Sequence, residues 1–221
     1  MLEAKKITVF AGHYGSGKSN LAVNYAFWLK QQGKETTLLD LDIVNPYFRS
    51  KDSEKELGEA GIRVIASEFA NSNVDVPALP PAAYSMFTAD GHYSVVDLGG
   101  DDRGSLALGR FSEMLAAADT YEMLLVINQF RPDTATPEGV LEVVREIEDA
   151  CHVKFTGIAN NTNLGAMTEK SHVLDSVAYA KAVSDLIGLP VVMTAYRADL
   201  GELDVPHPFP ITLTTKAIWS I

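Results

Sequence analysis

Between Phe10 and Ala22 the chain reads FAGHYGSGKSNLA, an apolar strand that runs into three glycines and emerges as a helix. Gly12 to Ser19 has the spacing G-x-x-x-x-G-K-S. In such a loop the backbone N–H groups converge on phosphate oxygens at the start of a helix, whose dipole favours an anion. The motif demands a strand before it and a helix after it, and both are legible here. KKITVFAG is a short apolar run ended by glycine, and Leu21, Tyr25 and Trp28/Leu29 recur at helical spacing until Gly33 stops the pattern. Gly12, Gly15 and Gly17 allow backbone angles that side chains resist. Lys18 is then positioned to reach the β- and γ-phosphates and the Ser19 hydroxyl to ligate Mg²⁺. His13, Tyr14, Ser16 and Asn20 are the remaining contacts expected from the loop.

The same alternation continues along the chain. TTLLDLD, IRVIAS, YSVVDLGG, EMLLVIN, KFTGIAN and PVVMT read as strands. Between them, SLALGRFSEMLAAA, the segment through Val140, Val143/Val144 and Ile147, and that through Val173, Val177, Ala180, Val183 and Ile187 read as helices. Strands that are apolar throughout and separated by helices predict an α/β fold: a central, mostly parallel sheet covered by helices on both faces. Ligands of such sheets sit beyond the carboxyl ends of the strands. No linker, repeat or low-complexity stretch divides residues 1–221, which are expected to form one domain. NSNVDVPALPPAAYSMF reads as an irregular connection leading to a short helix.

Three further polar stations fall at strand ends. In LLDLDIVNPYFRS, Asp40 and Asp42 are two residues apart and share a face if the strand continues; otherwise Asp42 starts the loop. Asp42 is assigned to ordering the attacking water or holding Mg²⁺ through water, and Asp40 to support, with one of the pair capping a turn. Asn45-Pro46 begins a turn, and Arg49 either reaches phosphate or, by default, is a surface arginine. In SVVDLGGDDRG, Asp97 ends a buried strand, where a carboxylate can hold a water on Mg²⁺. Asp97-x-x-Gly100 also fits a sensor whose glycine N–H contacts the terminal phosphate and whose loop moves on hydrolysis. Asp101, Asp102 and Arg103 follow as a charged segment. In GIANNTNLG, Asn160 and Asn161 either read a purine edge, Asn161 first, or make turns. Arg131, in NQFRPDT, either touches ligand or pairs with Asp133.

Bulk properties narrow the partners. The net charge of −11, from 18 Lys+Arg and 29 Asp+Glu, argues against nonspecific nucleic-acid binding. There is no Lys/Arg run for lipid headgroups and no apolar run of roughly 18 residues for a membrane span. The single cysteine, Cys151, excludes an intramolecular disulfide and suits a reducing cytoplasm. His92, His152, His172 and His207 lack metal-ligand spacing.

In their order, the four stations resemble the MinD/ParA and CobQ/CobB superfamily of P-loop ATP-binding proteins, which includes dethiobiotin synthetase and the nitrogenase iron protein. The resemblance runs from about Lys6 to Thr194 and implies the three-layer P-loop NTPase fold. It implies ATP and Mg²⁺ as cofactors, Gly12 to Ser19 as phosphate loop, and Asp42 as the switch I aspartate. Asp97 to Gly100 would be switch II, and Asn161 the base reader. Its members are ATPases that dimerise, implying a homodimer, or ATP-dependent ligases.

The chain departs from the dimerising ATPases at position 13. They carry a lysine there that reaches the partner's phosphates; this chain has His13, shorter and mostly neutral near pH 7. TTKAIWSI is too short and scarcely basic for a membrane helix. The expectation is a Mg²⁺-dependent ATP-binding protein that hydrolyses ATP slowly as a conformational switch, with an unidentified protein partner or small-molecule substrate. The alternatives are a ligase of the CobB/dethiobiotin synthetase kind that activates a carboxylate, and a GTP-using metal-delivery switch.

Overall fold

The computed structural model describes residues 3–42, 54–66, 81–84, 86, 91–100, 102–118 and 121–213. Their strands are β1 (Ile7–Ala11), β2 (Glu35–Leu41), β3 (Arg63–Ala66), β4 (His92–Leu98), β5 (Tyr121–Ile127), β6 (Gly157–Asn160), β7 (Val191–Arg197) and β8 (Pro208–Ile211). All join one sheet in the order β3-β2-β4-β1-β5-β6-β7-β8, and every pairing is parallel. The order reverses at β1, which lies between β4 and β5. A crevice opens at such a reversal, beyond the strand ends, and the glycine-rich loop leaves β1 there.

The helices are α1 (Lys18–Gln31), α2 (Glu54–Glu59), α3 (Asp102–Gly109), α4 (Ser112–Ala117), α5 (Pro137–Cys151) and α6 (Lys170–Ile187). Successive strand residues feed opposite cores, as the pleat requires. Phe10, Leu38, Val95 and Val126 pack with Leu21, Tyr25 and Leu29 of α1 and Leu57 of α2. Val9, Leu39, Val96 and Leu125 pack with Leu108 of α3, Leu115 of α4, Val140 and Ile147 of α5, and Val183 of α6. The sheet is therefore covered on both faces, which is why its strands carry no polar alternation. No described helix is long and apolar enough to cross a membrane.

Three elements differ from expectation. SLALGRFSEMLAAA is two helices, not one, broken around Arg110 and Phe111. A Cβ on Gly109 would lie 3.3 Å from the Cys151 carbonyl at the end of α5, so close packing rather than local preference fixes the break. KFTGIAN supplies a strand only from Gly157. The strand β8 was not anticipated, because PFPI carries two prolines. Thr194 N donates to His207 O, so His207 and Phe209 turn their backbone toward β7. Pro208 and Pro210 then face the open edge, where a missing N–H is tolerated. Phe209 and Ile211 are buried on the α1 side.

Candidate functional site

The loop between β1 and α1 is held from three directions. His13 O accepts from Ser16 N at 3.2 Å and from Lys18 Nζ at 3.1 Å, closing the loop on itself. From the end of β5, Arg131 Nε donates to Gly15 O at 2.8 Å. From the end of β6, Asn161 Nδ2 donates to Ser16 O at 2.7 Å. Gly17 is the N-cap of α1 at φ 89°, and no side chain caps the helix. A Cβ there would stand 2.4 Å from Asn161 Nδ2, so both the backbone angle and the space require glycine. An uncapped helix start beneath a glycine-rich loop leaves first-turn N–H groups facing outward, the arrangement that binds phosphate. Ser16, Lys18, Ser19 and Asn20 are buried, whereas Tyr14 is exposed.

The second station lies beside the first. Asp97, at 0% exposure, is the register partner of Asp40 on β2 and of Phe10 on β1. Neither Asp97 oxygen accepts a hydrogen bond from a described residue. Burial pushes its carboxyl well above the ordinary aspartate range, and the facing Asp40 carboxylate pushes the same way. The nearby Ser19 hydroxyl and Lys18 ammonium pull it down, and Asp42 adds a smaller upward push. Asp40 Oδ1 accepts from Asp42 N at 2.9 Å, so Asp40 caps the turn that releases Asp42, half-buried, from the strand. Asp42 therefore starts the loop rather than continuing the strand.

Gly100 closes against the loop. A Cβ on it would lie 2.7 Å from Tyr14 N and 2.9 Å from Lys18 Nζ. The Asp97-x-x-Gly100 segment thus touches the backbone that would carry phosphate. Arg49 and Asn45-Pro46 lie outside the described residues, as do Asp101, the side chains of Asp102 and Arg103, and the TTKAIWSI segment.

The asparagines divide their work. Asn160 Nδ2 donates to Ser176 Oγ at 2.8 Å, and its Oδ1 accepts from Thr162 N and Oγ1, so its amide is spent on structure. Asn128 and Asn163 join the loops after β5 and β6: Asn128 Nδ2 donates to Asn163 O at 3.1 Å, and Asn163 Nδ2 to Asn161 O at 2.6 Å. Asn161 Oδ1 is buried with no described donor. Arg131 does not pair with Asp133; His13 Nε2 lies 3.5 Å from Asp133 Oδ2 instead. The sequence left Arg131 open between two roles because neither involved the loop carbonyl it holds.

The donor set fits a hard divalent cation. Mg²⁺ is typically held by one or two protein oxygens together with substrate phosphates. The Ser19 hydroxyl and the unpartnered buried Asp97 carboxylate are such oxygens, with Asp42 within their field. Among the described residues, no group of three or more His, Cys, Asp or Glu could hold a metal alone.

A strand, a phosphate loop at the sheet's reversal and an acidic strand end beside it define a P-loop nucleotide-binding protein. The family model of the CobQ/CobB/MinD/ParA nucleotide-binding domain matches residues 7–187, and the chain belongs to that family. Among solved structures, FtsY from Mycoplasma mycoides is 15% identical, with a TM-score of 0.57 over 85% of this chain and 58% of its own. FtsY from Thermotoga maritima is 18% identical, with a TM-score of 0.57 over 86% of this chain and 60% of its own. The 54 kDa signal recognition particle protein from Aeropyrum pernix K1, solved with GDP, is 18% identical, with a TM-score of 0.54 over 86% of this chain and 41% of its own. These likenesses are of fold, and the chain spans only about three-fifths of the FtsY chains. No curated protein sequence matches the chain.

Proposed function

We propose that residues 1–221 form one Mg²⁺-dependent ATP-binding domain that hydrolyses ATP slowly and acts as a conformational switch. The observation that carries this reading is the approach of Gly100 to Tyr14 N and Lys18 Nζ, with the unpartnered Asp97 carboxylate three residues earlier. A segment so close to the phosphate loop must move when a terminal phosphate enters or leaves, which is what a switch requires.

In this reading Lys18 and the first-turn N–H groups of α1 hold the phosphates, with Gly12, His13, Tyr14, Gly15, Ser16, Gly17 and Asn20 around them. Ser19, Asp97 and, through water, Asp42 hold Mg²⁺, which neutralises phosphate charge. Asp42 orients the attacking water, and the Gly100 N–H senses the terminal phosphate. The absence of a lysine at position 13 removes a cation that would speed bond cleavage, so binding persists while chemistry is slow. The protein works in the cytoplasm, binds neither nucleic acid nor membrane, and responds to a protein or small-molecule partner or to a second copy of itself.

The preference for ATP comes mainly from the family resemblance, with Asn161 as the base reader. Its Nδ2 is committed to Ser16 O, because two oxygens would repel at that distance. The Oδ1 acceptor and the second hydrogen of Nδ2 remain, and the acceptor suits the exocyclic amine of adenine. The GDP-bound fold neighbour supports GTP as the second reading. Position 13 supports ligase chemistry, which does not need that lysine.

Competition binding of Mg-ATP and Mg-GTP, followed by single-turnover phosphate release, tests the slow-switch and GTP readings. We expect tighter ATP binding, weakened in Asn161→Ala, and release well below about 1 s⁻¹ that slows further in Asp42→Asn. Tighter GTP binding overturns the base assignment. Fast hydrolysis by the isolated protein overturns the slow switch.

A further inference from the structure

Arg131 stands at the mouth of the site, and the phosphate-loop motif gives it no role. It sits on the loop after β5, exposed to solvent, yet its Nε is fixed on Gly15 O at 2.8 Å. Its guanidinium end packs close to Gly15: a Cβ there would be 3.1 Å from both Cζ and Nε. Among the described residues, no carboxylate lies within ion-pair distance of Arg131, since Asp133 faces His13. The guanidinium is therefore held by the loop rather than by an acid.

A trans peptide points its N–H opposite its carbonyl. Holding Gly15 O outward turns the Ser16 N–H inward, where it meets His13 O at 3.2 Å. On the next peptide, Asn161 holds Ser16 O outward at 2.7 Å and so turns the Gly17 N–H to the opposite side, toward the loop interior. Two consecutive peptides of a flexible glycine-rich segment are thus set by side chains from two other strand ends. His13 Nε2 and Asp133 Oδ2 approach to 3.5 Å between the same two loops.

We propose that Arg131 is a positioning residue of the phosphate site, fixing the Gly15–Ser16 peptide so that the loop is preformed before nucleotide arrives. This rests on the nucleotide reading above. Preforming a loop lowers the ordering cost that binding would otherwise meet. The effect acts on the loop itself, and so on diphosphate and triphosphate alike. A guanidinium that touched the terminal phosphate would act on the triphosphate alone.

The experiment is calorimetric titration of the full chain with Mg-ADP and with a Mg-bound non-hydrolysable ATP analogue. Wild type is set beside Arg131→Ala, Arg131→Gln and Lys18→Ala, with circular dichroism to verify folding. Glutamine has its amide nitrogen at the same point in the side chain as arginine Nε, without the charge. The expected result for Arg131→Ala is an equal loss for both nucleotides, about tenfold, the size of one charge-assisted hydrogen bond. Arg131→Gln should recover to within about threefold of wild type. An unchanged Arg131→Ala, a loss confined to the triphosphate, or a glutamine variant as weak as alanine overturns the proposal. If the alanine variant does not fold, the glutamine variant decides: near-wild-type affinity supports the role, and tenfold weakening refutes it. A wild type that binds neither nucleotide refutes the nucleotide reading, and this inference with it. Loss in Lys18→Ala alone refutes only the inference.

Discussion

Asp97→Asn should stabilise the nucleotide-free protein while weakening its response to Mg²⁺ and nucleotide. The carboxyl is fully buried, faces Asp40 across the β2–β4 pairing, and accepts no hydrogen bond from a described residue. Burial and Asp40 raise its pKa above the value near 3.9 of an unfolded aspartate. The native state therefore binds the proton more tightly than the unfolded state does. The stability associated with that proton is fully present below about pH 4 and is lost as pH rises through the native value. Asparagine cannot ionise, and its amide can donate to the facing Asp40 carboxylate. Relieving a buried, unpartnered polar group is worth about 1–3 kcal/mol. For a domain of roughly this size each kcal/mol moves Tm by about 2–4 °C, so a rise of several degrees is expected at pH 8. Thermal unfolding of both proteins from pH 4 to pH 8, without nucleotide, should give a gap that is small at pH 4 and widens with pH. Adding Mg²⁺ and nucleotide should raise the wild-type midpoint more than the variant's, because the carboxylate is then paired. A variant less stable than wild type at pH 8, or a gap independent of pH, would refute the assignment of a carboxylate destabilised by burial and by Asp40.

Gly17→Ala places a methyl 2.4 Å from Asn161 Nδ2 at φ 89°. It should cost about 1–3 kcal/mol of stability and weaken nucleotide binding at least about tenfold; normal affinity by calorimetry would contradict the clasp of Asn161 on the loop. Phe209→Ala empties a site packed against Tyr25 and Trp28. Urea unfolding should show a loss of about 3–5 kcal/mol, and a loss below about 1 kcal/mol would mean that β8 is not part of the core.

The phosphate loop, the α1 pattern and most strands were legible because each is written in neighbouring residues: glycines at fixed offsets, apolar runs, a 3.6-residue period. The Asp97-x-x-Gly100 motif was read the same way, and the chain brings it against Tyr14 and Lys18. Local pattern also placed Asp40 and Asp42 at a strand end, but only the fold made Asp40 the cap and Asp42 the loop residue. Asn160 and Asn161 look alike in sequence. They differ because alternate residues at a strand end face opposite sides of the sheet, one toward Ser176 on α6 and the other toward the phosphate loop.

The strand order, the turn at Arg110 and Phe111, the pairing of β8 and the grip of Arg131 on Gly15 were decided by tertiary structure alone. The segments involved are far apart in the chain: Arg131 meets a carbonyl 116 residues away. PFPI reads as non-strand until an edge supplies a partner for one side of it and solvent for the other. Local preference reports only on the few residues within reach of one another along the backbone. Contacts between remote segments depend on which surfaces the sheet has already brought together, and no short window of sequence contains that information.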